Sequence, residues 1–77
     1  MRNEVADVFR SVMQLDGSFV LEDQMSFQDV PGWDSVGHMN LISELESRFG
    51  FTLDMDEIVA IDSFGAVCEL VGRKQAA

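Results

Sequence analysis

The segment from Ser35 to Phe49 constrains this chain more than any other, because Val36, Met39, Ile42, Leu45 and Phe49 recur at the spacing of one helix face. Both of its ends are written into the residues. Pro31-Gly32 makes a turn ahead of it, and Asp34 or Ser35 can cap its free amide groups. Gly50 stands where the helix should stop, with Phe51 able to fold back on the last turn in the manner of a Schellman cap. An amphipathic helix of this length needs other elements to cover its apolar stripe, so the rest of the chain must supply them.

Two further segments have the same character. Val5, Val8, Phe9, Val12 and Leu15 follow a helical period between Glu4, Asp7, Arg10 and Gln14, which predicts a helix over 3–15 closed by Asp16-Gly17. Ser63 offers an N-cap, and Phe64, Val67, Leu70 and Val71 form the inward stripe of a last helix over 63–72, with Arg73 and Lys74 at its carboxyl end. Gln75-Ala76-Ala77 is expected to fray. Phe51 to Met55 alternates but is too brief for a sheet strand, so it reads as an extended link into a short helix over 56–61, started by Asp54 or Asp56.

Between the first two helices, Ser18 to Gly32 carries Phe19, Val20, Leu21, Met25, Phe27 and Val30 without a sustained period. A long ordered loop with one helical turn near Glu22 to Met25 fits better than a hairpin of Phe19–Leu21 with Phe27–Val30, since two such short strands build no stable sheet alone. Loops of this length are uncommon unless they serve a function. The predicted fold is therefore all-α, a single domain over 1–77, with three main helices, one short helix and a long first loop.

Size and charge then exclude function classes. Seventy-seven residues cannot house two domains with a cleft between them, which disfavours self-contained catalysis. A net charge of −9 repels phosphate backbones and anionic leaflets, so neither nucleic acid nor stable membrane insertion is expected, and partners that use charge should be basic. The apolar content separates the chain from acidic disordered tails. With Cys68 as the single cysteine, no intrachain disulfide or cysteine-rich metal site can form, which together with the absence of a signal-peptide run points to the cytoplasm. A monomer is expected.

Ser35 is the candidate functional residue, since it follows Asp34 at the amide-rich start of the strongest helix, where an attached phosphate would be electrostatically favoured. Alone, Asp34-Ser35 reads more readily as a pair of caps. His38 lies one turn on and invites a Ser35/His38/Asp34 hydrolase assembly. Adjacency of Asp34 to Ser35 does not place a carboxylate behind the imidazole, so a solvent or interface histidine is the stronger reading. Asp54, Asp56 and Glu57 lack the glycine-centred loop of a calcium site, and no metal centre is expected. Trp33 reads as a seal for the long loop, in preference to a partner contact.

The wider pattern resembles the acyl and peptidyl carrier protein family, in particular stand-alone acyl carrier proteins. Asp34-Ser35-Val36 matches the family's Asp-Ser-Leu attachment motif, with Val36 in place of Leu. The likeness extends over nearly the whole chain, through Leu41-Ile42-Ser43-Glu44-Leu45-Glu46-Ser47-Arg48-Phe49, Phe51-Thr52-Leu53 and Ile61-Asp62-Ser63-Phe64-Gly65.

The resemblance implies that Ser35 receives a covalent 4'-phosphopantetheine arm from coenzyme A, and that Asp34 belongs to the attachment motif read by a phosphopantetheinyl transferase. It implies a non-enzymatic carrier that presents an acyl group, as a thioester on that arm, to acyl-activating, condensing or acyl-transfer enzymes. Val36, Met39, Glu44 and Glu46 would face those partners. Gly37, Asn40, Ser47 and Arg48 dilute the acidity usual for this helix in fatty-acid carriers, which favours a specialised pathway. An aminoacyl or peptidyl carrier and an unmodified helical interaction module are the alternatives.

Overall fold

In a computed structural model that describes residues 2–76, the chain forms α1 (Arg2–Met13), α2 (Ser35–Phe49), α3 (Met55–Ala60) and α4 (Phe64–Ala76), with no strand among the described residues. The predicted fold class stands. α1 buries Val5, Ala6, Val8, Phe9 and Met13 and turns Glu4 and Asp7 outward. It ends before Leu15, however. The left-handed residue that closes it is Gln14, at φ 56°, and the Leu15 N–H returns to the Arg10 carbonyl at 2.9 Å in a Schellman arrangement. The stop therefore lies ahead of Asp16-Gly17.

The long loop is irregular but well bonded. Asp16 Oδ1 accepts from both the Ser18 amide and hydroxyl, Glu22 to Met25 forms a turn and no helix, and Asp29 accepts from Ser26. Leu21, Val30 and Trp33 are buried, which explains why its apolar residues are there. Its middle also caps a helix: the carbonyls of Met25 and Asp23 accept from the Phe64 and Gly65 amides at 2.8 and 2.9 Å. Two of the orphan donors at the start of α4 are satisfied in this way, and Ser63 Oγ takes the Ala66 amide as the expected cap.

The bounds of α2 agree with the sequence. Asp34 rather than Ser35 caps it, accepting from the Gly37 amide at 2.8 Å. At the other end Gly50 adopts φ 73° and donates to the Glu46 carbonyl, the simple left-handed cap, with the Phe49 and Phe51 rings stacked beside it. The link to α3 is pinned where Glu46 Oε2 accepts from the Leu53 amide. Asp54 then opens α3 with a reciprocal capping box to Glu57.

The last helix corrects the sequence reading. Gly72 does not end α4, which continues through Ala76 because Lys74 pairs with Glu57 at 2.9 Å and Gln75 donates to the Phe49 carbonyl at 2.9 Å. Gly in a helix costs only ~1 kcal/mol, a penalty such tertiary bonds can offset. Ala77 lies outside the described residues. At the centre of the bundle Phe9 presents edge contacts to Trp33 and Phe64, with centroids 4.9 and 5.2 Å away. No helix is long and apolar enough to cross a membrane among the described residues.

Candidate functional site

Ser35 is presented by a close approach of two backbones. Gly32, at φ 84°, turns the chain so that its carbonyl lies against Gly37, where a Cβ would overlap that oxygen and crowd Met13 Sδ. Only glycine fits there. Gly37 is therefore buried, and its side-chain absence reflects loop packing, not a diluted acidic surface. With Asp34 Oδ1 committed to the Gly37 amide, Ser35 begins the helix with an exposed side chain that takes no part in capping.

A groove of about 610 Å³ opens beside Ser35 and Asp34. Phe27 and Trp33 of the loop, His38 and Met39 of α2, and Met55, Ile58 and Val59 of α3 form its walls. Among the described residues, five of the six large exposed apolar side chains, Phe27, Val36, Met39, Met55 and Val59, gather around this end, and Val36 and Val59 are more than 70% exposed. Exposed apolar surface concentrated in one place marks a binding surface. Met55 and Val59, apolar positions in a helix too short to need them, were its signal in the sequence.

The charges expected of α2 are largely committed elsewhere. Glu44 is half-buried and paired with Arg48 at 3.3 Å, and Glu46 holds the Leu53 amide. Val36 and Met39 do lie exposed beside Ser35. Trp33 is a seal, only 2% exposed.

His38 departs from expectation. It is half-buried, with Nδ1 accepting from the Trp33 indole N–H at 2.9 Å and Nε2 3.1 Å from the Ile58 carbonyl. Both nitrogens are thus occupied by groups other than Ser35, and Asp34 caps the helix, so the hydrolase assembly is not formed. Among the described residues no three His, Cys, Asp or Glu side chains converge to hold a metal ion, and Asp54 and Glu57 serve the α3 capping box.

The site suits a phosphodiester. An exposed hydroxyl at the first residue of a fifteen-residue helix sits in the positive end of the macrodipole, and nothing in the fold covers it. These features fit the carriers of a prosthetic arm, and the comparisons identify the chain's family. The model of the phosphopantetheine attachment site family matches residues 3–71. A solved holo acyl carrier protein from Geobacter metallireducens superposes with a TM-score of 0.88 at 33% identity, covering 97% of this chain and 85% of that one. A putative acyl carrier protein from Mycobacterium tuberculosis shares the fold, with a TM-score of 0.85 at 20% identity over 95% of this chain and 96% of that one. No curated protein matches the chain. The chain belongs to the acyl carrier protein family.

Proposed function

We propose that this protein carries acyl groups on a phosphopantetheine arm attached to Ser35, in a specialised biosynthetic pathway of the cytoplasm. The observation that carries the reading is the exposed Ser35 hydroxyl, at the start of α2 and at the lip of an apolar groove, within the family's attachment motif. In loading, Ser35 Oγ bonds to phosphorus of the coenzyme A pyrophosphate, its proton passes to a base of the transferase, and the adenosine bisphosphate half leaves. The arm supplies a terminal thiol on which an acyl group is held as a thioester.

The protein's own residues hold and present. Asp34 keeps the first turn of α2 in register through the Gly37 amide and offers the remaining carboxylate oxygen to the transferase. Val36 and Met39 form the apolar ground beside the attachment point, on which a transferase and acyl-activating, condensing or acyl-transfer enzymes dock. Glu44 and Glu46 contribute less to that docking, because Arg48 and the Leu53 amide already engage them. A partner surface this poor in free acid supports dedicated enzymes over general fatty-acid synthesis. Tethering raises the effective concentration of the acyl group near each enzyme in turn.

The test is incubation of the purified protein with coenzyme A and a permissive phosphopantetheinyl transferase, followed by intact mass and peptide mapping. Addition of one arm at Ser35, abolished in Ser35→Ala, is expected. No addition with several competent transferases would refute the carrier reading.

A further inference from the structure

The two bonds of His38 assign its tautomer. An indole N–H can only donate and a backbone carbonyl can only accept, so Nδ1 must be the bare nitrogen and Nε2 must carry the hydrogen. The imidazole in this geometry is neutral and serves as a two-ended connector. One end satisfies the indole of Trp33, which has almost no access to water. The other end reaches across to α3.

α3 needs such a connector. It has six residues, buries none of them, and is far below the length at which a helix holds itself together. Ile58 packs against the core only in part, between the buried Leu53 and Ile61 on either side of the helix; the helix's polar attachments are Glu57 to Lys74, Glu46 to the Leu53 amide at its entry, and His38 to the Ile58 carbonyl near its end. The Ile61 amide approaches that carbonyl only at 3.4 Å, beyond the usual range for N–H···O bonds, so His38 supplies the better donor. Among these three links, only the one from His38 lies in the groove wall itself.

We propose that His38 is a positioning residue, a neutral Nε2-protonated bridge between Trp33 and the Ile58 carbonyl that holds α3 against α2 and so sets the width of the groove beside Ser35. The consequence for an acyl group beside Ser35 rests on the carrier reading; the mechanical role of the bridge does not. Replacement by alanine leaves the buried indole donor without an acceptor and the α3 carbonyl without its donor. Gln keeps one acceptor and one donor at its tip and restores both.

Amide hydrogen exchange on the purified protein tests the bridge. His38→Ala is expected to accelerate exchange roughly tenfold from Leu53 to Ile61 while leaving the buried amides of α1 unchanged, and to shift the indole N–H resonance of Trp33, the single tryptophan. His38→Gln should recover most of the protection. Trp33→Phe, which deletes the indole donor but keeps a ring in place, gives a smaller acceleration in the same segment. Unchanged exchange over that segment in His38→Ala, acceleration spread equally over all helices, or no recovery in His38→Gln would each overturn the proposal.

A second readout concerns the groove. With wild type and His38→Ala each loaded from octanoyl-coenzyme A, hydroxylamine should cleave the thioester several-fold faster in the variant, because a loosened α3 shields it less. Equal cleavage rates would overturn the groove-setting role. If neither protein accepts the arm at Ser35, the carrier reading fails while the exchange data still decide the bridge.

Discussion

The side of the molecule where α1, α2 and α4 meet and the side where α3 faces Ser35 are built from different interactions. On the first, fully buried Val5, Val8, Phe9, Leu41, Leu45, Val67 and Val71 interlock with no buried polar or charged residue among them. On the second, no residue of α3 is fully buried, Ile58 touches the core only in part, and one ion pair and single hydrogen bonds add the polar links, while large apolar side chains remain in water around an open groove. Apolar burial of the first kind accounts for the stability of a domain this small. Keeping the second kind unfilled leaves surface for a ligand and for partners. The fold thus separates what holds it together from what it presents.

The largest expected effect falls on the packed side. Phe9→Ala removes the ring that contacts both Trp33 and Phe64 and should cost ~3–5 kcal/mol in urea unfolding, close to the whole stability of such a domain. A cost below ~1 kcal/mol would break the division between the two sides. Gly37→Ala should come next, at ~1–3 kcal/mol, because the new methyl meets a backbone carbonyl that side-chain repacking cannot move. It should also slow arm transfer to Ser35, since relief of the overlap displaces the turn ahead of it. Stabilisation in Gly37→Ala would show that the loop yields cheaply.

Asp34→Ala should cost ~1 kcal/mol through loss of the cap and reduce the transferase rate more than its stability loss explains. On the open side, Met55→Ser and Val59→Ser should change stability by no more than ~0.5 kcal/mol, as both side chains are already in water. A larger loss in either would mean that the groove belongs to the core.

The smallest effect is one of pH. The Asp54 amide, and after it Lys74, hold the Glu57 carboxyl below the usual carboxylate range. A group shifted down in the folded state contributes stability above its unfolded value and loses it as pH falls through its folded value. Acidification below pH ~4 should therefore loosen α3 before α1 in amide exchange, and Glu57→Gln should flatten that difference. Identical acid profiles for the two helices would remove the distinction.

Much of this arrangement is visible along the chain. The bounds of α2, the capping roles of Asp34, Asp54 and Ser63, and the buried stripes of α1 and α4 all follow from residues within a turn of one another. Local pattern and structure part where a distant residue intervenes. α4 passes Gly72 because Glu57 and the Phe49 carbonyl engage its last turn, and Glu46 reads as a partner-facing acid until the Leu53 amide is seen beside it. Gln14 takes the left-handed conformation in place of Gly17, the residue with the lower steric cost there. The half-burial of His38 is not legible locally, because nothing near it in the chain reveals that the indole five residues earlier is buried and needs an acceptor.

The residues by themselves determined the helical class, the helix caps and the place of Ser35 at the head of α2, since periodicity and capping act over three or four positions. The tertiary structure alone decided that Gly37 seats a turn, that His38 joins the loop to α3, and that the apolar residues of three separate segments surround one groove. Those features depend on contacts between segments far apart in the chain, such as His38 with Ile58 and Gly37 with Met13, and their geometry exists only after the core has packed.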